Sequence, residues 1–244
     1  MLWKNLDPDI WYNAVYKNPP EWLREIFVEQ IEITKKVLQQ YDKKSLCDIG
    51  CATGELLMHC FSLCDYVIGI DVNKKLLDKA RELHPELDTK AYLIHGNALE
   101  LQHLIASHLP HNFCKTSRVA TLVMNTLGIL PPPLYKTILD EIVKWIHEDG
   151  AGIIGCWNKE FFQQGLEWHR QHPELCGEIT ESDYDTENSL IKIKETGYIS
   201  KWWSEEELRN LLLKYAHDFN LQFYKKGAGI FVVLSSKNRE LKLT

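Results

Sequence analysis

The chain of 244 residues has no apolar run long enough to cross a bilayer. Its longest mostly apolar stretch, VATLVMNTLGIL at 119–130, is interrupted by Asn125 and Gly128 and stops at three prolines, whereas a spanning helix needs about 20 residues. Basic charge is not in excess either: 28 Lys and Arg against 34 Asp and Glu leave a formal net charge of −6. That balance speaks against a nucleic-acid partner held by counterion release, although a local basic groove stays open. Near the start stand Asp7 and Asp9, where a secretory leader has a cationic end and an apolar run, so a cytoplasmic location and no membrane partner are expected. The seven cysteines are odd in number and none falls at CxxC spacing; they read as reduced apolar residues, with no metal site expected. What is present is ordinary for a folded domain, with 45% hydrophobic and 25% charged residues. One core carrying an insertion fits this length better than two cores. The sequence does not indicate an oligomeric state.

Aromatic and proline residues crowd positions 1–20, and a helix is expected from Pro20 to Gln40 on the spacing of Trp22, Ile26, Ile31, Ile33 and Val37. From Ser45 onward short apolar runs alternate with helical patterns: SLCDIG, GELLMHCFSL, YVIGID, KKLLDKARELH, AYLIHG, RVATLVMN, YKTILDEIVKWIHE and GAGIIGCWN. Such alternation predicts about five parallel strands joined by crossover helices. After Trp157 the pattern lapses for about 45 residues, where FFQQGLEWHRQ reads as a short helix and SLIKIKETGYISKW as a hairpin turning at Thr196-Gly197. Helical SEEELRNLLLKYAHD follows, with a capping box formed by Ser204 and Glu207. NLQFYKK and GIFVVLSS are joined too briefly for a crossover helix and must therefore be antiparallel.

The most informative segment is CDIGCATGE at 47–55, a strand, a glycine turn and a helix start, with Asp71 closing the next strand. A dinucleotide fingerprint puts glycines at the first, third and sixth positions. Counted from Gly50, those positions hold Gly50, Ala52 and Glu55, and a methyl group plus a carboxylate would both oppose a diphosphate. The acid-x-Gly-x-Gly-x-Gly alternative fits as Asp48, Gly50, Ala52 and Gly54, with one replacement. Here the chain resembles the class I S-adenosylmethionine-dependent methyltransferases. The resemblance covers about residues 45–235 and includes GIDVN at 69–73, HGNALEL at 95–101, VMNTLG at 123–128 and the closing antiparallel strands. It implies an α/β fold, a doubly wound seven-stranded mostly parallel sheet with a final antiparallel strand, plus an inserted cap. The expected division of this single domain is an arm and helix at 1–44, a donor-binding core at 45–157, a cap at 158–203 and a closing unit at 204–244.

The same resemblance implies S-adenosylmethionine as methyl donor and assigns its contacts. Gly50, Ala52, Thr53 and Gly54 form the turn around the methionine end, and Asp48 helps position the ammonium. Asp71 accepts from the ribose hydroxyls, a task suited to a carboxylate, and Val72 packs on the adenine face. Asn97 accepts from the adenine amine beside the Ala98 backbone amide. Asn125 falls where relatives place groups beside the transferring methyl, and Tyr12 is a second catalytic candidate, because N-terminal tyrosines, here Tyr12 and Tyr16, close over the donor in many relatives; a staple packing the arm on the sheet is the competing reading of both. In-line displacement from a sulfonium needs no dedicated base, since positioning in a dry pocket supplies much of the rate.

Residues 157–203 hold eight of the 26 aromatics and read as a lid over the acceptor. Trp157, Phe161 and Trp203, with Trp11 and Tyr16, are the substrate-binding candidates; packing into a small core of the insertion's own is the competing reading of these rings. Six carboxylates lie between Glu174 and Glu187, a field that suits an amine and equally describes a solvated loop. His95, His103, His108 and His111 read as surface residues, and Cys60 and Cys64 as core. NTLG at 125–128 lacks the Asp/Asn-Pro-Pro-aromatic pattern used on exocyclic base amines. The expected activity is methyl transfer to N or O of a small-molecule acceptor. A protein or RNA acceptor, and a non-catalytic donor-binding subunit, are the alternatives.

Overall fold

The computed structural model describes residues 2–110, 117–146 and 149–243; His111 and Cys114 lie outside the described residues. Along the chain run α1 (Pro8–Tyr12), α2 (Glu21–Leu38), β1 (Lys44–Ile49), α3 (Glu55–Cys60), β2 (Tyr66–Asp71), α4 (Lys74–Leu83), β3 (Ala91–His95) and α5 (Leu101–His108). Then follow β4 (Ser117–Leu122), α6 (Tyr135–Ile146), β5 (Ala151–Trp157), α7 (Phe162–Gln171), α8 (Pro173–Cys176) and three short strands, β6 (Tyr184–Asp185), β7 (Leu190–Ile193) and β8 (Tyr198–Lys201). The last elements are α9 (Glu205–Leu212), β9 (Phe219–Lys226) and β10 (Gly229–Ser236).

Seven strands form one sheet in the order β3-β2-β1-β4-β5-β10-β9. The neighbours from β3 to β5 are parallel, while β10 is antiparallel to both β5 and β9. This is the seven-stranded α/β methyltransferase fold. The strands are apolar on both faces because helices cover both. Leu46 of β1 packs in the layer with α2 and α3, and Cys47 and Ile49 pack in the layer with α5, α6 and α9, as the two-residue strand period requires. The order reverses between β1 and β4, and crevices at strand carboxyl ends beside such a reversal are where open α/β sheets bind ligands.

The capping box holds as expected: Glu207 N–H donates to Ser204 Oγ at 3.1 Å and Ser204 N–H to Glu207 Oε2 at 2.7 Å. In the insertion the hairpin turns at Gly197, φ +70°, and β6 adds an edge strand that periodicity did not reveal, since it is only two residues long. The ends of the insertion are tied together, with Trp203 N–H donating to the Trp157 carbonyl at 2.7 Å and Lys159 N–H to that of Trp203 at 2.8 Å. No helix among the described residues is long and apolar enough to cross a membrane.

Candidate active site

The carboxyl ends of β1, β2 and β4 and the loop after β3 open into one cavity, bounded on its sheet side by Asp48, Gly50, Ala52, Asp71, Val72, Asn97, Ala98, Val123, Met124 and Thr126. Its other wall comes from the N-terminal arm, through Trp3, Lys4, Trp11 and Tyr16, and from Gln30 of α2.

The turn after β1 takes its shape from three left-handed residues, Gly50 (φ +74°), Ala52 (φ +46°) and Gly54 (φ +84°). A side chain at Gly50 would also meet the Thr126 methyl at 2.9 Å. Ala52 holds a conformation that costs a non-glycine residue roughly 1–2 kcal/mol. Its amide donates to Asp71 Oδ2 at 3.0 Å, and Asn73 N–H donates to Oδ1 at 2.8 Å, so Asp71 links the turn to the end of β2. Burial pushes the Asp71 carboxyl up to about 6 against the pull of these two bonds. Asp48 is buried and accepts from Thr121 Oγ1 at 2.7 Å. Burial raises it to about 7, partly opposed by Thr121 and reinforced by the charges of Asp71 and Glu55. Tyr16 is half-buried, and desolvation followed by Glu55 and Asp48 holds its phenol well above the usual range. Lys4, exposed at the rim, is the one Lys or Arg side chain on the cavity wall among the described residues. A cavity with two buried carboxylates and so little positive charge suits a cationic ligand, because the ligand's charge offsets their desolvation.

Asp48, Gly50, Ala52, Asp71, Val72, Asn97 and Ala98 lie together on the cavity wall. Asn97 is exposed there and its Oδ1 accepts from Leu99 N–H at 3.1 Å. Thr53 and Gly54 stand behind the wall; Thr53 is buried with its hydroxyl on Glu55 Oε2 at 2.6 Å, and Gly54 caps α3.

Neither catalytic candidate reaches the cavity wall. Asn125 is fully buried, its Nδ2 donating to the Lys201 carbonyl at 3.1 Å and its Oδ1 accepting from Trp157 N–H at 3.3 Å. The left-handed backbone at Met124 and Asn125, φ +50° and +59°, turns that side chain into the joint between β4 and the insertion. Tyr12 packs on Tyr16 with centroids 6.1 Å apart, and Tyr16 is the tyrosine on the wall.

The aromatic candidates separate into two groups: Trp11 and Tyr16 line the cavity, while Trp157, Phe161 and Trp203 do not line it. Trp157 packs against Trp202, Trp22 and Trp168 at 4.9, 5.7 and 6.4 Å between centroids. Phe161 packs on the same side of the sheet, and Trp203 packs against Tyr135 on the other. Trp157, Trp168 and Trp202 pack together with the buried Leu166, Leu175, Ile191 and Ile193 in the core of the insertion.

Trp3 and Gln30 are among the wall residues to which the sequence assigns no role. Gln30 carried a legible signal, because it stands four residues after Ile26 on the buried stripe of α2, where an apolar residue is due. It is buried, and its Oε1 has no hydrogen-bond partner.

His95 is exposed and its Nε2 lies 3.2 Å from the Val72 carbonyl; His103 and His108 are exposed on α5. The six described cysteines are buried and unpaired. Among the described residues no three or more His, Cys, Asp or Glu side chains gather as metal ligands would.

Residues 46–150 match the family model of a methyltransferase domain. That match spans the strands and turns that line the cavity and marks this part of the chain as a methyltransferase domain. Among solved structures it is similar to the PH0226 protein from Pyrococcus horikoshii OT3, at 16% identity and TM-score 0.62 over 93% of this chain and 96% of that one. It is also similar to the N-methyltransferase NodS from Bradyrhizobium japonicum WM9 in complex with S-adenosylhomocysteine, at 10% identity and TM-score 0.60 over 97% and 98%. A third is the 1,6-didemethyltoxoflavin-N1-methyltransferase from Burkholderia thailandensis, at 14% identity and TM-score 0.56 over 94% and 85%. A comparison with curated proteins gave no match.

Proposed function

We propose that the chain methylates N or O of a small molecule held in the roofed cavity, with Asp48, Gly50, Ala52, Asp71, Val72, Asn97 and Ala98 holding the donor. The observation that carries this reading is the roof: Trp3, Trp11 and Tyr16 stand over the strand ends, where a macromolecular acceptor calls for an open cleft. NodS is an N-methyltransferase, and the toxoflavin enzyme binds the small molecule 1,6-didemethyltoxoflavin together with S-adenosylhomocysteine, which supports an acceptor of that size. The whole chain reads as one domain, with the arm of 1–44 rather than the insertion of 158–203 over the acceptor.

S-adenosylmethionine supplies an electrophilic methyl on a sulfonium; the chain's part is to bind, orient and exclude water. The Asp71 carboxylate suits the paired ribose hydroxyls, and ionised Asp48 suits the donor's ammonium. Gln30 Oε1 and the indole N–H of Trp11 are buried without partners and both line the cavity. They are assigned to the acceptor, which then carries a hydrogen-bond donor and an acceptor of its own. α2 packs over β4, β5 and β10, which puts Gln30 on the β4 side of the cavity, away from the Val72 and Asn97 end.

The test is formation of S-adenosylhomocysteine with panels of small amines, phenols and heteroaromatic N–H compounds, run beside mixed RNA and protein acceptors. Turnover confined to the small-molecule panel is expected. Turnover on RNA or protein alone would overturn the acceptor assignment.

A further inference from the structure

Asn73 follows β2 and caps α4, its Oδ1 accepting from the amides of Lys75 and Leu76 at 3.0 and 3.4 Å. Serine or aspartate would do that equally well. Neither would supply Nδ2, which reaches out of the sheet domain to the arm and donates to the carbonyls of Trp3 at 3.0 Å and Leu6 at 2.9 Å. The Asn73 backbone N–H meanwhile holds Asp71 Oδ1 at 2.8 Å, and the residue is fully buried. One residue therefore joins the start of α4 and the first turn of the arm through its side chain and the cavity carboxylate through its backbone N–H.

The arm's other ties are of a different kind. Asp9 pairs with Lys79 at 3.0 Å with its side chain 72% exposed, and exposed pairs contribute little. Trp3 packs on Tyr198 of the insertion with centroids 5.4 Å apart, a contact without strong direction. The two bonds from Asn73 are directional, and breaking them leaves the buried Leu6 carbonyl unpaired, where the loss costs most, beside the part-buried carbonyl of Trp3.

We propose that Asn73 is a positioning residue for methyl transfer, latching the arm over the cavity so that Trp3, Trp11 and Tyr16 enclose the reactants and the spent donor leaves only when the latch opens. This rests on the reading that places the donor in this cavity. The latch sits one residue from Val72 and two from Asp71, so the turn that grips the donor also anchors the roof. Any ligand that orders this turn favours the closed arm, and by linkage the closed arm favours the ligand.

The test compares the parent with Asn73→Ser, which keeps the cap on α4 and removes the donor to the arm. Release of S-adenosylhomocysteine, followed by stopped-flow tryptophan fluorescence, is expected to be about tenfold faster, the scale of losing one buried and one part-buried amide bond, while association changes by less than about twofold. Hydrogen exchange in ligand-free protein is expected to quicken in residues 2–17 and to stay unchanged in α4. Faster exchange in α4 with an unaltered release rate would make Asn73 a helix cap only and overturn the proposal. Unchanged exchange in the arm would overturn it whether or not the donor binds. A parent protein that binds no S-adenosylhomocysteine would instead remove the donor assignment on which the latch depends.

Discussion

At the carboxyl ends of β1 and β2 each carboxylate is held by hydrogen bonds: Asp48 by the Thr121 hydroxyl, Asp71 by the backbone amides of Ala52 and Asn73, Glu55 by the Thr53 hydroxyl. The insertion at 158–203 is built the other way. Its core is a stack of rings, Trp157, Trp168 and Trp202 against Trp22 of α2, whose buried indole N–H groups in Trp157, Trp168 and Trp202 have no hydrogen-bond partner. The main directional bonds of that core run through His169, 2.6 Å from the Tyr198 hydroxyl and 2.7 Å from the Gly165 carbonyl. Hydrogen bonds fix positions to tenths of an ångström and suit a site that must aim a ligand. Ring packing fills space without aiming anything, and it suits a brace. The brace still reaches the site, because Lys201 of β8 ties down the loop after β4 through its carbonyl to Asn125 and its amide to the Gly128 carbonyl at 2.9 Å.

The hardest blow to this contrast falls on Trp202, which is fully buried and lies so close to Gly165 that any side chain there would overlap its ring. Trp202→Ala is expected to destabilise the fold by about 3–5 kcal/mol in chemical denaturation, and Gly165→Val to be comparably damaging through overpacking. Donor-product affinity in whatever remains folded should change by less than about threefold if the ring core is a brace alone. A parallel collapse of affinity would show that the insertion helps aim the donor.

Asp71→Ala is next, with an expected loss of roughly 1.5–3 kcal/mol in S-adenosylhomocysteine binding by calorimetry; unchanged affinity would remove the ribose assignment. Protonation sharpens the same point. Asp71 near 6 and Asp48 near 7 both lie above the ordinary value of 3.8, so the folded chain holds these protons more tightly than the unfolded one. Their stabilisation is complete below about pH 4 and is lost as pH rises through 6 to 7. Ligand-free protein should therefore gain stability from these groups between pH 8 and pH 5, while donor-product affinity falls over the same range because the ligand needs the carboxylates ionised. Melting curves and calorimetry at both pH values, with Asp48→Asn and Asp71→Asn as controls, read the two opposite slopes; parallel slopes would contradict the assignment.

The smallest effect is expected from neutralising Glu178, Glu181, Asp183 and Asp185, none of which lines the cavity. Asp183 is engaged with Thr180 at 2.9 Å and Asp185 with Asn188 at 2.7 Å. Changing all four to amides should alter KM for a cationic acceptor by less than about twofold even at low salt. A larger, salt-sensitive rise would make the insertion an electrostatic guide and break the division drawn above.

By itself the sequence determined the strand-turn-helix order from Ser45, the antiparallel closing pair, the capping box at Ser204 and the row from Asp48 to Ala98 that lines the cavity. These are local facts. A strand shows its period over six residues, a left-handed turn selects glycine at Gly50 and Gly54, and a connection as short as Gly227–Ala228 permits one geometry. Only the tertiary structure decided which aromatics line the cavity, that Asn125 joins β4 to the insertion, that Gln30 reaches the cavity wall and that Asn73 bonds to the arm, from elements with no motif of their own. The direction a side chain takes is set by partners far away in the chain: Lys201 for Asn125, Trp22 for Trp157, the carbonyls of Trp3 and Leu6 for Asn73. No window of sequence holds both members of such a pair, so composition can count the rings of an insertion but cannot say whether they turn toward a ligand or toward each other.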